Sequence, residues 1–193
     1  MTRKTTLAKA LILGAMAFGG AQSATAANLL INGSFEQPGC AQSCVLSTTA
    51  QADFLPGWTT FLSGAEYFKV VSFFTTSAAA DGSAIVDLAN FTYKNGGGIQ
   101  QNFNTTIGAK YRLTFYAGNS LSTGRTGDGV IDVKVAGQTV TFNTPVARSA
   151  QIVWAPLTYD FTATTTQTTL SFSNEQDPYL HYAFIDKVSV DPL

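Results

Sequence analysis

The sequence predicts an all-β fold built as a β-sandwich, for three reasons. The chain is rich in Thr, Ser, Gly, Phe, Val and Tyr, and only 12% of it is charged. These residue types favour pleated, half-buried strands over helices. Short runs of alternating apolar and polar residues are separated by turn residues, and no segment keeps a helical period over three turns. Many short strands at regular spacing are typical of two packed sheets.

The segment Tyr111–Tyr116 is the clearest predicted strand. Side chains alternate between the two faces of a strand. Its odd-numbered positions are therefore predicted to face the core, and its even-numbered positions, which include Arg112 and Tyr116, to face outward. Gly118 and Asn119 follow and end the strand, because both residue types are typical of turns.

Four more strands are predicted after this one. Val130–Val135 and Thr139–Phe142 are expected to form a hairpin, because Gly137-Gln138 supplies a tight turn between them. Thr168–Ser173 is the next strand, and Phe184–Val190 is the last. The alternation in each of them predicts one buried and one outward face.

Two earlier stretches lack this pattern. Pro38–Gly57 shows no strand signal and is predicted to be a long irregular region. Gly96–Gly98 is predicted to be a turn before a strand. It is not expected to cradle phosphate, because no Lys-Ser/Thr pair and no helix follow it.

The first residues predict a signal peptide. Arg3, Lys4 and Lys9 give a basic start, Leu7–Phe18 is mostly apolar, and Ala24-Thr25-Ala26 fits a cleavage site between small residues. A membrane anchor is the alternative, but spanning a bilayer needs about 20 apolar residues. We therefore expect cleavage after Ala26. Residues 27–193 would then form one secreted or periplasmic domain, of a length that suits a sizeable core.

The charge of the exported part excludes some partners. Three of the 11 Lys+Arg lie in the leader, so eight remain against 12 Asp+Glu, a net charge of −4. Nucleic acids and anionic membranes attract clusters of basic residues, and the sequence has no such cluster. No later segment is long and apolar enough to span a membrane.

Cys40 and Cys44 are the only cysteines. Two close cysteines in an exported protein are expected to form a disulfide. The loop they close is short, so the bridge would contribute only about 2 kcal/mol and pin a local loop. A zinc site is not favoured, because His181 is the only histidine, and the spacing is not the Cys-x-x-Cys of redox centres.

A set of short motifs occurs in a characteristic order. They are Asn28-Leu-Leu-Ile-Asn-Gly-Ser-Phe-Glu36, Leu55-Pro-Gly-Trp58, Gly64-Ala-Glu-Tyr-Phe68, Asp81-Gly-Ser-Ala-Ile-Val-Asp-Leu88, Gly97-Gly-Ile-Gln-Gln-Asn-Phe103 with Gly108-Ala-Lys-Tyr-Arg-Leu-Thr-Phe115, and Phe184-Ile-Asp-Lys-Val-Ser-Val190. This order resembles domain-of-unknown-function family 642, within the galactose-binding-like jelly-roll superfamily of secreted carbohydrate-binding modules. The resemblance covers essentially all of the exported chain. It implies a jelly-roll β-sandwich and a glycan-binding role.

The resemblance also implies a metal site. In related sugar-binding jelly rolls, the Glu of the opening motif and the Asp of the closing strand share one structural calcium ion, and the matching residues here are Glu36 and Asp186. Calcium binds several oxygens, and carboxylates are among its usual ligands. The alternative is that Glu36 caps a turn and Asp186 accepts a hydrogen bond from a backbone amide.

Aromatic residues are the candidates for sugar binding, because rings stack on the apolar faces of sugars while polar groups bind the hydroxyls. The predicted ligand-binding residues are Tyr93, Arg112, Tyr116, Trp154 and Tyr179. Tyr182 and Asn119 are further candidates. The alternative for each ring is that it belongs to the core.

The sequence favours binding over catalysis. A Ser-His-Asp triad would need His181 in a specific geometry, and no nucleophile-elbow motif is present. We therefore predict a non-catalytic polysaccharide- or glycan-binding module. The alternatives are a structural or adhesive protein of the cell envelope and, less favoured, a glycosidase with paired carboxylates, whose separation a sequence does not show.

Overall fold

The computed structural model describes residues 28–37, 39–47, 54–74, 76–90 and 95–193. The predicted signal peptide with its cleavage after Ala26, and the predicted ligand-binding residue Tyr93, lie outside these ranges. Among the described residues, no helix is long and apolar enough to cross a membrane.

Strands dominate the described part of the chain. They are β1 (Ser43–Leu46), β2 (Thr59–Leu62), β3 (Ala65–Lys69), β4 (Ala84–Asp87), β5 (Ala89–Asn90), β6 (Asn95–Asn104), β7 (Lys110–Asn119), β8 (Val130–Val135), β9 (Gln138–Asn143), β10 (Val153–Thr162), β11 (Gln167–Asn174) and β12 (Phe184–Pro192). One short helix, α1 (Val70–Phe73), and a 3₁₀ turn at Ser122–Gly124 also occur.

The strands form two packed sheets. Sheet A has the strand order β1-β3-β4-β12-β7-β10, and sheet B has the order β2-β6-β11-β8-β9, with β5 paired to the start of β6. The pairings within both sheets are antiparallel. The all-β sandwich predicted from the sequence is confirmed.

The two ends of the described chain lie side by side. The backbone N–H of Leu29 donates to the carbonyl of Val190 at 2.9 Å. The Asn28 side chain accepts from the N–H of Val190 at 2.9 Å and donates to the carbonyl of Val188 at 2.9 Å. These contacts place the opening motif, which contains Glu36, beside the last strand.

The main core fills the space between the sheets. The alternation predicted for Tyr111–Tyr116 is confirmed, since its odd-numbered side chains are buried in this core and Arg112 is exposed. Trp58 packs between Phe35 and Phe172, with ring centroids 5.5 Å and 6.2 Å away. Its burial explains why the Pro-Gly-Trp motif belongs to the fold rather than to a surface site.

A second apolar cluster lies on the other side of sheet A. Phe68, Ile85 and Phe184 project outward from β3, β4 and β12, and the chain that follows β3 folds over them with Val70 and Phe74. Burying one such side chain contributes about 1.5–3 kcal/mol. The connection between β3 and β4 is therefore held against the sheet, and its edge forms one wall of a pocket.

Two predictions about irregular stretches are wrong. β1 lies inside Pro38–Gly57, and Gly96–Gly98 belongs to β6. The ring of Phe61 covers Gly98, where an added Cβ would come within 2.5 Å of the ring. These glycines are explained by close packing across the sheet, which local sequence signals do not show.

The predicted disulfide between Cys40 and Cys44 is present, with 6.1 Å between the two Cα atoms. Cys44 belongs to β1, so the bridge ties this edge strand to the loop before it. A hydrogen bond from the N–H of Lys69 to the carbonyl of Gln42, 2.6 Å long, fastens the same loop to the end of β3. The bridge is local, as the short spacing predicted.

Candidate functional site

One row of side chains crosses all six strands on the outer face of sheet A, which we call face A. The strand registers place Val45, Glu66, Asp87, Phe184, Gly118 and Trp154 side by side in this order. Two acidic residues therefore stand next to each other near edge strand β1. The other end of the row is aromatic, since the Trp154 ring lies over Gly118, where an added Cβ would come within 2.5 Å of it.

A pocket opens at the acidic end of this row, and we call it the Phe73 pocket. Its volume is about 490 Å³, and it is lined by Ser43, Cys44, Val45, Glu66, Phe68, Phe73, Thr123, Arg125 and Tyr182. The Phe73 ring packs 5.0 Å from the ring of Phe68 between centroids, yet the side chain remains 45% exposed. The pocket thus combines an accessible aromatic ring with hydroxyl and charged groups.

Asp87 lies behind the pocket and is fully buried. Its Oδ1 accepts a hydrogen bond from the N–H of Ala183 at 3.0 Å, while its Oδ2 accepts none from the described residues. Burial, reinforced by the neighbouring Glu66 carboxylate, raises the pKa of Asp87 to about 7, although Arg125 and the Ala183 amide act in the opposite direction. A buried carboxyl in this setting holds its proton well above the ordinary range.

Arg125 joins the loops that form the far wall of the pocket. Its guanidinium lies 3.7 Å from the centroid of the Tyr182 ring, and its Nη1 donates to the Tyr182 hydroxyl at 2.7 Å. Its Nε donates to the carbonyl of Pro178 at 2.9 Å. The side chain is only 4% exposed. A charge buried this deeply fixes the positions of both loops, and Tyr182 is covered rather than presented as an open platform.

The predicted residues Arg112, Tyr116 and Trp154 all lie on face A, away from the core. Arg112 forms a two-point ion pair with Asp160, 2.7 Å at each contact, and both side chains are exposed. Tyr116 lies 5.6 Å from the ammonium of Lys187, measured to its ring centroid. Trp154 packs against the second apolar cluster. These three residues share a face, and none of them lines the Phe73 pocket.

The other candidates are placed elsewhere. Tyr179, 37% exposed, lies in the loop before β12 and does not line the Phe73 pocket. Asn119 is fully buried, and its amide donates to Asp128 Oδ1 at 3.3 Å and to the carbonyl of Pro145 at 3.2 Å. Asn119 therefore supports the loops. A role in ligand binding for the predicted set stays a prediction.

Glu36 and Asp186 both bind the turn that precedes β4, so the two carboxylates predicted to share an ion lie in the same region. Glu36 Oε1 accepts from the N–H groups of Ser83 (2.8 Å) and Ala84 (2.6 Å), and its Oε2 accepts from the Ser83 hydroxyl at 2.9 Å. Asp186 Oδ2 accepts from the N–H of Asp81 at 2.8 Å. Both carboxylates thus fasten the same turn, which is the alternative role stated for them.

The turn needs its glycine. Gly82 has a φ of +61°, and a Cβ there would lie 2.6 Å from the Glu36 carboxyl. Burial alone would raise the pKa of Glu36, but the amides and hydroxyl of this turn, together with Lys69 at 3.8 Å, lower it below its ordinary value. Glu36 is therefore a charged anchor for the turn.

Asp186 differs from Glu36 because it is fully buried and forms no ion pair with a described residue. Burial, with a contribution from the Asp81 carboxylate, raises its pKa to about 7 against the opposing backbone amides. A cation beside it would fit this environment. Within the described ranges, no three His, Cys, Asp or Glu side chains are grouped so that they could hold a metal ion, so further ligands would be backbone carbonyls or water.

The sequence reasoning missed the main residues of the Phe73 pocket. Phe73 and Arg125 lie in connections, where strand alternation gives no signal. Glu66 occurs in a motif quoted for the resemblance, but its partner Asp87 is 21 positions away, and only the register of β3 and β4 brings them together. The buried acidic pair could have been suspected only from the outward alternation of both strands.

Comparison with known protein families shows which family the chain belongs to. A family model described as protein of unknown function (DUF642) matches residues 28–191. The chain belongs to this family. No curated protein matches the sequence of this DUF642 protein.

Solved structures show the same fold at low sequence identity. The carbohydrate-binding module TmCBM61, in complex with β-1,4-galactotriose, has a TM-score of 0.50 and 16% identity over 86% of this chain and 99% of its own. An arabinose-bound α-L-arabinofuranosidase, MgGH51, has a TM-score of 0.51 and 17% identity over 87% of this chain and 27% of that one. The enzymatically active domain of tailspike protein 4 of bacteriophage CBA120 also has a TM-score of 0.51. The two chains are 12% identical over 86% of this chain and 21% of the tailspike chain. The DUF642 protein is therefore a jelly-roll sandwich of the kind seen in carbohydrate-binding modules.

Proposed function

We propose that this DUF642 protein is a secreted, non-catalytic carbohydrate-binding module and that the Phe73 pocket holds its ligand. The observation that carries the assignment is the pocket itself, where an exposed aromatic ring stands beside hydroxyl and charged side chains. The fold supports the proposal, because a module of this architecture has been solved with a galactose trisaccharide. The disulfide supports export, since such bonds persist in oxidising compartments.

The pocket has the size and chemistry that a short sugar chain needs. Its volume of about 490 Å³ falls in the usual range for small-ligand sites. The ring of Phe73 can stack on the apolar face of a pyranose. The hydroxyls of Ser43 and Thr123, with the Glu66 carboxylate, line the same space and can bind sugar hydroxyls.

Calorimetric titration with short oligosaccharides, beginning with β-1,4-galactotriose, tests the pocket. Phe73→Ala is expected to weaken binding at least about tenfold, because stacking on a ring contributes about 1.5 kcal/mol. Ile107→Ala is the matched control, since Ile107 is an equally apolar side chain, 62% exposed, in the turn before β7. Equal affinities for Phe73→Ala and the wild type would remove the pocket from the proposal.

The non-catalytic character is tested separately. The protein is incubated with each polysaccharide that it binds, and new reducing ends are measured. We expect none above a boiled control. If the wild type releases sugars and Glu66→Gln or Asp87→Asn does not, the protein is a hydrolase that uses this acidic pair.

Secretion is tested by expressing the whole chain with its native first residues and sequencing the protein recovered outside the cytoplasm. We expect its first residue to be Ala27. A recovered protein that still begins at Met1 would contradict the proposed signal peptide.

We also propose that Glu36 and Asp186 hold a structural calcium ion. When bound, the ion would neutralise the buried Asp186 and reinforce the turn that both carboxylates fasten. The expected result is a melting temperature that falls when a chelator is added and recovers with calcium. The same melting temperature with and without chelator would contradict the calcium proposal. The two carboxylates would then serve only as hydrogen-bond acceptors for the turn.

A further inference from the structure

Strand β9 is the last strand of sheet B, and no strand within the described ranges pairs with its second edge. The N–H of Thr144, just after β9, donates to the carbonyl of Gly129, just before β8, at 2.9 Å. Hydrogen-bonded and non-hydrogen-bonded positions alternate along an antiparallel pair, so the even-numbered residues of β9 bond to β8. The backbone groups that point away from β8 belong to Thr139, Thr141 and Asn143.

This β9 edge lacks the features that normally prevent strands from pairing. Proteins protect the edges of their sheets with charged side chains, proline, bulges or very short strands. β9 has six residues, Gln-Thr-Val-Thr-Phe-Asn, with no charge and no proline. Its register with β8 is regular from one end to the other. The β9 edge can therefore accept a further strand.

The other sheet edges in the described part of the chain are protected. On β10, the N–H of Ala163 donates to the carbonyl of Ala109 at 3.0 Å, so by the same alternation the even-numbered residues face the free edge. Pro156 is one of them and has no N–H to offer a further strand, and Asp160 adds a charge there. Strands β1 and β2 have only four residues each. The β9 edge is thus the exception.

The sequence of β9 is complementary to itself in an antiparallel pair. If Thr141 lies on a two-fold axis, it faces Thr141 of a second copy, and Thr139 faces Asn143 of that copy. The outward backbone groups then meet in hydrogen-bonded pairs, each of which exchanges two hydrogen bonds. Cross-strand Thr–Thr pairs are also favourable. A second copy of this chain therefore satisfies the whole edge.

The same register covers apolar side chains that the single copy leaves half exposed. Val140 and Phe142 point to the inner side of β9, and both are only half buried. The Phe142 ring contacts that of Phe115, with 5.4 Å between the centroids. Across the axis, each Val140 would lie opposite a Phe142, and pairs of an aromatic and a β-branched residue stabilise neighbouring strands.

The charges near the axis do not oppose this pairing. Asp132 of β8 lies opposite Thr141 and accepts a hydrogen bond from its hydroxyl at 2.6 Å. In the pair, the two copies of Asp132 would be separated by three strand spacings, about 14 Å. Salt screens exposed charges at that distance. β9 itself contributes no charge, so like charges do not face each other.

We propose that two copies of this DUF642 protein form a dimer by pairing their β9 strands about a two-fold axis at Thr141, so that sheet B continues from one copy into the other. The paired segment is short, so the dimer is expected to be weak and to exchange with the monomer, as small interfaces do. The interface goes beyond the proposed function and does not depend on what the Phe73 pocket binds.

Sedimentation velocity over a wide range of protein concentration tests the dimer. The wild type is expected to shift from monomer to dimer as its concentration rises. Thr139→Pro removes an N–H that donates across the axis and keeps the bonds to β8, so it should associate at least about tenfold more weakly. Thr158→Pro removes an outward N–H from β10 instead and should associate like the wild type. Urea unfolding of dilute samples shows whether each variant is folded.

Cysteine cross-linking tests the register. Hydrogen-bonded partners have Cα atoms about 5.5 Å apart, a distance that a disulfide can span. With oxidised glutathione as the oxidant, Thr141→Cys is expected to give a covalent dimer on a non-reducing gel. Thr139→Cys is the control, because its two thiols would lie about 13 Å apart along the strands.

Three results would overturn the proposal. They are a wild type that stays monomeric at every concentration, a Thr139→Pro variant that associates like the wild type, and equal cross-linking of the two cysteine variants. A monomeric wild type would also leave the β9 edge to a strand from a different protein. Calorimetric titration of the Phe73 pocket is unaffected by each of these results.

Discussion

The two outer faces of the sandwich carry opposite kinds of side chain. On face A, Val70 and Phe74 pack over the rings of Phe68 and Phe184, and the acids Glu66 and Asp87 are buried. On the outer face of sheet B, which we call face B, Gln100, Ser171 and Lys134 align across neighbouring strands and are at least partly exposed. The difference follows from connection length, because β8 and β9 are joined by only two residues. A covered face can hold buried charges with shifted pKa values, whereas an open face offers exposed hydrogen-bonding groups.

The largest expected difference between the faces concerns buried charge. Arg125→Met should lower the free energy of unfolding by about 3–5 kcal/mol, because it leaves the acidic pair without its neighbouring cation. Lys134→Met on face B removes an exposed cation and should change it by less than about 0.5 kcal/mol. Urea unfolding of both variants measures the contrast. Similar losses for the two variants would show that face A is not energetically distinct.

The pH dependence of stability should also come from face A. The folded state holds the Asp87 proton up to a pKa of about 7, whereas the unfolded chain releases it near 3.8. Stability from this group is therefore full below pH 4 and is lost as the pH rises to 7, by at most about 4 kcal/mol.

Unfolding curves recorded between pH 4 and 8 test this sign. Asp87→Asn should reduce the slope, because the amide cannot ionise, and the slope that remains should come from Asp186, whose pKa is also raised to about 7 by burial. A wild-type stability that rises with pH over this range would contradict the effect of Asp87.

The disulfide should matter both for stability and for the pocket on face A. Cys40→Ser/Cys44→Ser is expected to reduce the free energy of unfolding by about 2 kcal/mol. It should also weaken oligosaccharide binding, since Cys44 lines the Phe73 pocket. Urea unfolding and calorimetric titration of the same preparation check both expectations, and an unaffected pocket would show that β1 holds its place without the bridge.

The smallest effect on stability is expected at the exposed ion pair between Arg112 and Asp160 on face A. Asp160→Asn removes the exposed ion pair with Arg112 and should leave the melting temperature unchanged, because solvent screens such pairs. The Arg112 guanidinium lowers the pKa of Asp160 through its hydrogen bonds. A clear loss of stability would show that the surface pair contributes as much as the covered charges do.

Several parts of the fold could be predicted from the sequence. The alternation in Tyr111–Tyr116 predicted which side chains are buried, and the spacing of the cysteines predicted their bridge. The ordered motifs predicted the family and the meeting of Glu36 with the last strand. The glycines of β6 were misread as a turn, because the Phe61 ring that requires Gly98 comes from a different strand.

The candidate site could be predicted only in part. Arg112 and Tyr116 were correctly predicted to point away from the core, but the pocket forms elsewhere on face A, around Phe73 and Arg125. Both residues lie in connections that become ordered by packing on the sheet. A local pattern does not reveal where such a connection will fold.

The sequence by itself determined the all-β class, the faces of the long strands and the local disulfide, because each depends on neighbouring residues and the period of a strand. The tertiary structure decided that Glu66 stands beside Asp87, that Arg125 reaches Tyr182 and that the Phe61 ring covers Gly98. Those arrangements depend on strand register and on how loops pack, and both are set by contacts between residues far apart in the chain.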